Sequence, residues 1–185
     1  MKTEHLKSNL ADLQSADAGR QDSSFNFFME ATKEPVDWAY EIWDDMLALL
    51  KTGDNKQRAI SSQVLCGLAK SDPKKRMRKD LARLLEVTKD ERFVTARHCM
   101  QSLWKVGVAG DSQRKALVKG LVERFKECAK EKNGTLIRYD ILQSLRRVYD
   151  TVPDESLPAT AGKLIELEKD PKYKKKYATL WRQKA

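Results

Sequence analysis

The sequence has little of what enzyme active sites and metal sites are built from. It contains two histidines, His5 and His98, and three cysteines without a CxxC spacing. Two histidines are too few for most acid–base and zinc arrangements, and an odd number of dispersed cysteines argues against a disulfide framework. The motifs GxGxxG, GxxxxGK[ST], HExxH and GxSxG do not occur. We therefore expect no enzymatic activity, no cofactor and no bound metal.

Long apolar runs are missing as well. The densest apolar stretch is MLALL at Met46, which is far shorter than the ~18 residues of a membrane span. The N-terminal sequence MKTEHLKSNLADLQ lacks the apolar region of a signal peptide. Together with the cysteine content, these features predict a cytoplasmic protein without a membrane partner, and we expect it to be a monomer.

Charge is distributed unevenly along the chain, whose formal net charge is +9. The first 54 residues contain 5 Lys and Arg against 11 Asp and Glu, whereas residues 55–185 contain 31 against 16. A basic body of this size can attract polyanions over several ångströms. The same excess of lysine is also typical of an ordinary solvated helical surface.

The strongest pattern is a self-match at an offset of 38 residues. The segment RQDSSFNFFMEATKEP, residues 20–35, aligns with RAISSQVLCGLAKSDP, residues 58–73, so that an arginine, a Ser-Ser pair, an apolar cluster and a proline coincide. A second match joins VLCGLAK at Val64, CMQSLWK at Cys99 and ILQSLRR at Ile141, at spacings of 35 and 42. Repetition at about 20 to 50 residues indicates stacked supersecondary units.

Apolar residues follow one another at steps of three and four in nearly every segment, which predicts helices. After Pro35, expected in the first helical turn, Trp38, Ile42 and Met46 form one such stripe. A Thr-Gly-Asp turn should end this helix, with Asp54 capping the next. No alternating β pattern is longer than a few residues. We predict an all-α chain of about ten helices in five antiparallel pairs, at ~37 residues per pair.

A proline at the head of the first helix, an aspartate in the turn and an arginine in the second helix resemble HEAT repeats. The segment DERFVTARHCMQSLWKVG, residues 90–107, is most similar to a HEAT second helix, with Asp90, Arg97 and Leu103 at the matching positions. LIRYDILQSLRRVY, residues 136–149, is the next most similar. The resemblance covers roughly residues 20–150. It implies an α-α superhelix whose second helices line a concave face, and a role in binding protein or nucleic acid.

We accordingly expect a single HEAT-like domain over residues 1–185. Residues 1–34 should form a degenerate N-terminal repeat, residues 35–150 the best-defined repeats and residues 151–185 a capping repeat. A polar terminal repeat is what a helical solenoid needs in order to close its apolar core at each end.

Basic residues fall at one position of successive repeats when the second helices are aligned. Lys70, Lys105 and Arg147 share this position, and Arg182 extends the row. A helical wheel places them away from the apolar stripes, on the expected concave side. Stacked helices lie ~8–10 Å apart, so a row with this pitch suits an acidic helix or a phosphate backbone. The predicted partner-binding residues are Lys70, Gln101, Lys105, Gln143, Arg146, Arg147 and Arg182.

Not every basic residue needs a binding role. The cations of the row lie in the last turns of their helices, where positive charge stabilises the macrodipole by ~0.3–1 kcal/mol each. Arg58, Arg97 and Arg138 lie nearer the apolar stripes and are expected to pair with turn aspartates such as Asp90 and Asp54. A second basic concentration lies on a first helix, the expected convex side, without interleaved aromatic residues: Lys74, Lys75, Arg76, Arg78, Lys79 and Arg83.

The leading functional hypothesis is a non-enzymatic scaffold that binds a protein or peptide with an acidic segment. Nucleic-acid binding is the alternative. A DNA-repair enzyme is a further one, since alkylpurine DNA glycosylases are built from HEAT-like repeats. Trp38, Trp43, Asp44, Asp45 and Trp104 supply residue types that such an enzyme uses. Trp43 falls on an apolar stripe, however, and core packing explains it more economically.

Overall fold

The computed structural model describes residues 3–182, and every regular element among them is helical. The α-helices are α1 (Thr3–Leu13), α2 (Ala18–Ala31), α3 (Ala39–Thr52), α4 (Asn55–Leu68), α5 (Met77–Val87), α6 (Phe93–Met100), α7 (Trp104–Val108), α8 (Asp111–Glu127), α9 (Gly134–Thr151), α10 (Ser156–Glu166) and α11 (Pro171–Leu180). Short 3-10 turns follow α4 at Ala69–Ser71 and α8 at Cys128–Lys130. The all-α prediction is confirmed. None of these helices is both long and apolar enough to cross a membrane.

The chain divides into two compact units, residues 1–99 (unit 1) and residues 100–185 (unit 2). In unit 1, α3 and α4 form a hairpin joined by Gly53 and Asp54; α2 packs on α4, and α5 packs on both helices of the hairpin. In unit 2, α9 is central, because it packs against α7, α8, α10 and α11.

Short-range capping signals set several of the helix starts. The side chain of Asp54 accepts a hydrogen bond from the Gln57 backbone N–H at 2.8 Å, and the Gln57 side chain accepts from the Asp54 N–H at 3.0 Å. This capping box satisfies two backbone donors at the start of α4, and it confirms the predicted cap. Asp170 likewise accepts from the Lys172 N–H at 2.8 Å, with a proline at the first position of α11.

The prediction that Pro35 lies in the first turn of α3 is wrong. The helix begins at Ala39, four residues later, and α5 likewise begins four residues after Pro73. The two proline segments contact each other, since the Val36 N–H donates to Ser71 Oγ at 2.8 Å. This contact holds the chain in a bend before α3. The 38-residue self-match therefore aligns two equivalent helix–loop segments, whose helices α2 and α4 are each 14 residues long.

Buried polar pairs accompany the apolar core of each unit. In unit 1, Trp43 is 0% exposed, and its Nε1 donates to Asp80 Oδ2 at 3.0 Å. Arg58 binds both carboxylate oxygens of Asp90, at 2.6 and 3.1 Å, which confirms the expected pairing with a turn aspartate. In unit 2, the corresponding partner of Arg138 is Glu168, at 3.0 Å.

Candidate binding surface of α7, α9 and α11

Three helices of unit 2 carry most of the predicted binding residues. The central helix α9 buries its apolar stripe, including Ile141, Leu145 and Val148, and packs against both α7 and α11. The positions between the stripe residues leave Arg147 exposed and Gln143 half-buried one turn earlier. The amphipathic pattern of α9 therefore determines which of its polar side chains reach solvent.

Arg147 is held in place by α7 and by the turn that precedes it. Its Nη1 donates to the carbonyl oxygen of Gln101 at 3.4 Å, and its guanidinium carbon lies 5.9 Å from the ring centroid of Trp104. Gln101 is itself fixed by a 3.4 Å hydrogen bond from its Nε2 to Asp140 Oδ1. A guanidinium group has five N–H donors, and Arg147 uses only this one for hydrogen bonds within the part of the chain that the structure describes. Its other donors are available to a ligand.

Arg146, the next residue of α9, has a different environment. Its Nε donates to Asp150 Oδ1 at 2.7 Å, and its Nη1 donates to the carbonyl oxygens of Leu180 at 3.1 Å and Arg182 at 3.4 Å. Its guanidinium also lies 5.8 Å from the ring centroid of Trp181. Arg146 therefore caps the end of α11 and positions Arg182, whose own side chain is exposed.

A third cation–aromatic pair lies on the same helices. Lys176 of α11 is exposed, and its Nζ lies 4.5 Å from the ring centroid of Tyr139 on α9. Lys176 was absent from the residues predicted from the sequence. The only local signal for it is the alternation of lysine and tyrosine in the segment PKYKKKY. Its partner ring comes from another helix, and local sequence cannot identify such a pair.

Five of the predicted residues either lie on α9 or contact a residue of α9. They are Gln101, Gln143, Arg146, Arg147 and Arg182. Lys105 is half-buried on α7, immediately after Trp104. Lys70 belongs to unit 1, where its Nζ donates to the carbonyl oxygen of Lys33, just beyond the end of α2. Lys70 is thus accounted for by a structural contact in its own unit.

The electrostatic character of unit 2 is basic. Residues 100–185 contain 19 Lys and Arg against 11 Asp and Glu. Of the acidic residues of α9, Asp150 is paired with Arg146, and Asp140 is buried beneath the surface. The surface formed by Lys105, Arg147, Lys176 and Arg182 is therefore suited to a negatively charged ligand. We call these four residues the basic face.

Unit 1 contains a groove of about 680 Å³, lined by residues of α3 and α5 and by Arg58 and Asp90. Burial alone would raise the pKa of Asp90, but hydrogen bonds from Arg58 and the Arg92 backbone N–H hold that pKa below its usual value. Arg58 and Asp90 thus pair with each other, which leaves neither charge for a ligand. The other charged residues of its lining are two acidic and two basic ones, Asp44, Glu86, Lys51 and Arg83, so the groove has no preference for one ligand charge.

The tryptophans and aspartates considered for a DNA-repair enzyme do not form one exposed group in the structure. Trp43 is completely buried in unit 1, and the exposed Asp44 is bound by Arg76. Trp104 lies under Arg147 in unit 2. No disulfide joins the cysteines, and no group of three or more His, Cys, Asp and Glu residues within 3–182 is arranged to hold a metal ion.

Comparison with known proteins identifies no relative. No protein-family model, no curated protein and no solved structure matches the chain.

Proposed function

We propose that the protein is a non-enzymatic, HEAT-like helical scaffold that binds an acidic segment of a partner protein on its basic face. The observation that supports this most directly is the environment of Arg147. Its guanidinium is exposed, lies over the ring of Trp104 and, among residues 3–182, makes one hydrogen bond, to the Gln101 carbonyl oxygen.

An arginine stacked on an aromatic ring is prepared to bind a carboxylate. The planar guanidinium presents paired N–H donors that match the two oxygens of Asp or Glu. Stacking restricts the side chain before the ligand arrives, so less conformational entropy is lost on binding. Lys176 over Tyr139 provides a second cation restrained in the same way, on the neighbouring helix.

The same pairs favour an acidic peptide over single-stranded nucleic acid. Proteins that bind single strands rely on aromatic rings on which bases stack. On this surface Trp104, Tyr139 and Trp181 each already have a cation of the chain over the ring. A base would have to displace that cation before it could stack, whereas a carboxylate can bind the cation where it lies.

The proposal is tested with a fluorescent peptide of about 12 residues that carries glutamates at helical spacing. The triple variant Lys105→Gln/Arg147→Gln/Arg182→Gln should bind it about tenfold more weakly, at ~0.5 kcal/mol for each exposed ion pair removed. The difference should shrink as salt concentration rises. Thermal denaturation should report a small loss of stability, at most ~1 kcal/mol per site.

A matched control lies in the same unit. Lys115, Lys119 and Lys163 are exposed cations of α8 and α10, and their replacement by Gln removes the same net charge. This control variant should retain the peptide affinity of the unmodified protein. If both triple variants lose affinity equally, binding depends on net charge alone and the basic face has no special role.

A further inference from the structure

A cluster of positive charge lies just before α5 in unit 1 and along the exposed side of that helix. Five exposed cations lie there, and we call them the α5 basic patch: Lys74, Lys75, Arg78, Lys79 and Arg83. Within the described residues none of the five forms an ion pair. Their neighbour Arg76, by contrast, is bound by Asp44 and lies 3.9 Å from Asp80 Oδ2.

Helix stabilisation does not explain the patch. Four of its members precede α5 or lie in its first turn, next to the positive end of the helix macrodipole, where cations are unfavourable. The backbone donors at this end are already satisfied, because Asp72 accepts from the N–H groups of Arg76 at 2.8 Å and Met77 at 2.7 Å. A ligand would therefore meet side-chain cations here, rather than free backbone donors.

The backbone at Lys75 adds a second observation. Its φ is 56°, and it is the one residue other than glycine with a positive φ in the described part of the chain. This left-handed region is unfavourable for a residue with a Cβ atom, and glycine occupies it more readily. The surrounding turn enforces it, since Tyr40 donates to Asp72 Oδ1 at 2.5 Å and accepts from the Lys74 N–H at 2.9 Å.

We propose that the α5 basic patch binds the phosphate backbone of duplex nucleic acid. This activity is separate from the peptide binding proposed for unit 2. Arg78, Lys79 and Arg83 lie on the exposed side of α5. Arg78 and Arg83 are five residues apart, or ~7.5 Å along a helix. Two base-pair steps of a duplex rise ~6.8 Å along the duplex axis. The acidic residue on the same side, Glu86, is paired with Lys89 at 3.3 Å.

The aromatic and apolar surroundings of the patch favour a duplex over single-stranded nucleic acid and over a membrane surface. Lys74 and Arg76 lie 5.4 and 5.6 Å from the ring centroid of Tyr40, so this ring does not offer a free face for stacking the bases of a single strand. A bilayer surface would need apolar side chains to insert. The large exposed apolar residues of the described chain are Val94 and Leu167, and neither belongs to the patch. Contacts restricted to phosphates predict binding without sequence preference.

The experiment measures binding of the 185-residue chain to a mixed-sequence DNA duplex of about 20 base pairs, and to an RNA duplex of the same length, over a range of salt. The variant Lys75→Gln/Arg78→Gln/Lys79→Gln should lose at least about tenfold in affinity. Its slope of log K against log salt should fall by about 2.7, or ~0.9 for each phosphate that the variant no longer neutralises. The matched control is the basic-face variant Lys105→Gln/Arg147→Gln/Arg182→Gln, which should keep most of the duplex affinity.

The two proposals fail separately in this design. If the basic-face variant leaves peptide binding unchanged, the function proposed for unit 2 is refuted, while the duplex measurements stand on their own. Equal losses of duplex affinity in both variants, or an unchanged salt slope in the α5 variant, would overturn the duplex proposal. Two further measurements use phosphatidylserine vesicles and the glutamate peptide as ligands. If the α5 variant loses more affinity for either of these ligands than for the duplex, the duplex proposal is overturned as well.

A single position gives the sharpest version of the test. Lys75→Gly removes one cation and relieves the left-handed backbone, so it should raise the melting temperature and weaken duplex binding two- to threefold. Lys75→Gln should weaken binding equally and raise the melting temperature less than Lys75→Gly does, because it keeps the left-handed strain, and Lys75→Arg should preserve binding. If Lys75→Gly is more stable and binds the duplex with full affinity, Lys75 does not contact the phosphates and the patch as assigned is wrong.

Discussion

The ion pair between Arg138 and Glu168 makes a quantitative prediction about the stability of unit 2. Only 10% and 6% of the two side chains are exposed. Arg138 also donates from its Nε to the Phe125 carbonyl oxygen at 3.0 Å. Glu168 Oε2 accepts from Tyr177 at 3.3 Å, and its Oε1 accepts from the Asp170 backbone N–H at 3.0 Å. The pair thus links the end of α8, the helix α9 and the turn before α11.

Glu168→Gln should cost about 3–5 kcal/mol of unfolding free energy, because it leaves the buried guanidinium of Arg138 without a counter-charge. The matched control is Glu166→Gln, two residues earlier. Glu166 is paired with Lys174, but the two side chains are 72% and 39% exposed. Losing an exposed pair should cost less than about 1 kcal/mol. Urea denaturation followed by circular dichroism measures both variants, with the slope of each transition compared in order to detect a loss of cooperativity.

The pH dependence of this difference is also determined by the structure. Burial opposes ionisation of Glu168, but the Asp170 N–H and Arg138 outweigh it and hold the pKa below its ordinary value of 4.5. A carboxylate with a depressed pKa stabilises the folded state above its unfolded pKa and loses that contribution as pH falls through the folded value. The cost of Glu168→Gln should therefore be complete at pH 7 and decrease below about pH 4.5. A cost below about 1 kcal/mol at pH 7 would refute the reasoning.

Glycine and cysteine positions supply two further predictions. Gly67→Ala should destabilise the protein by about 1–3 kcal/mol, because a Cβ atom there would lie 2.4 Å from Thr32 Oγ1 and 2.8 Å from Thr32 Cβ. Gly162→Ala, where nothing lies within 4 Å of the new Cβ, should instead stabilise α10 by about 0.5–1 kcal/mol, and thermal denaturation compares the two. All three cysteines are buried, and burial raises the pKa of the Cys99 thiol to about 12. The folded protein should therefore react slowly with a thiol reagent, and the denatured chain should yield three thiols; rapid labelling of folded protein would contradict this.

Local sequence predicted those features of the fold that depend on local interactions. The spacing of apolar residues predicted the helices, and Asp54 was predicted to cap α4, where it accepts a hydrogen bond from a backbone N–H three residues later. Arg58 was also expected to pair with a turn aspartate, and in the structure that aspartate is Asp90. Pro35 was misplaced because the bend before α3 depends on a hydrogen bond from Val36 to Ser71, which is 35 residues away. Such a contact leaves no mark in the local pattern.

The binding surface likewise combines features that the local sequence predicts with features that depend on distant contacts. Alignment of the second helices placed Arg146 and Arg147 together at the end of α9, although their surroundings differ. The guanidinium of Arg146 donates to Asp150 and to the Leu180 carbonyl oxygen at the end of α11. The guanidinium of Arg147 lies over Trp104 and keeps most of its donors available to a ligand. The difference arises from the packing of α9 against two other helices, which the repeat pattern alone does not specify.

Two kinds of cation in this chain differ in their position within a helix and in the acceptors that they reach. Lys70, Arg146 and Arg147 each donate to a backbone carbonyl oxygen near the end of another helix, so part of their role is to satisfy acceptors there. Within the part of the chain that the structure describes, the side chains of the cations at the start of α5 donate to no such acceptor, and these cations oppose the dipole of their helix. Removing cations of the first kind should lower stability, and removing those of the second kind should raise it slightly. A cation that lowers the stability of the fold is explained if it binds a ligand, and for the α5 basic patch the ligand we propose is a polyanion.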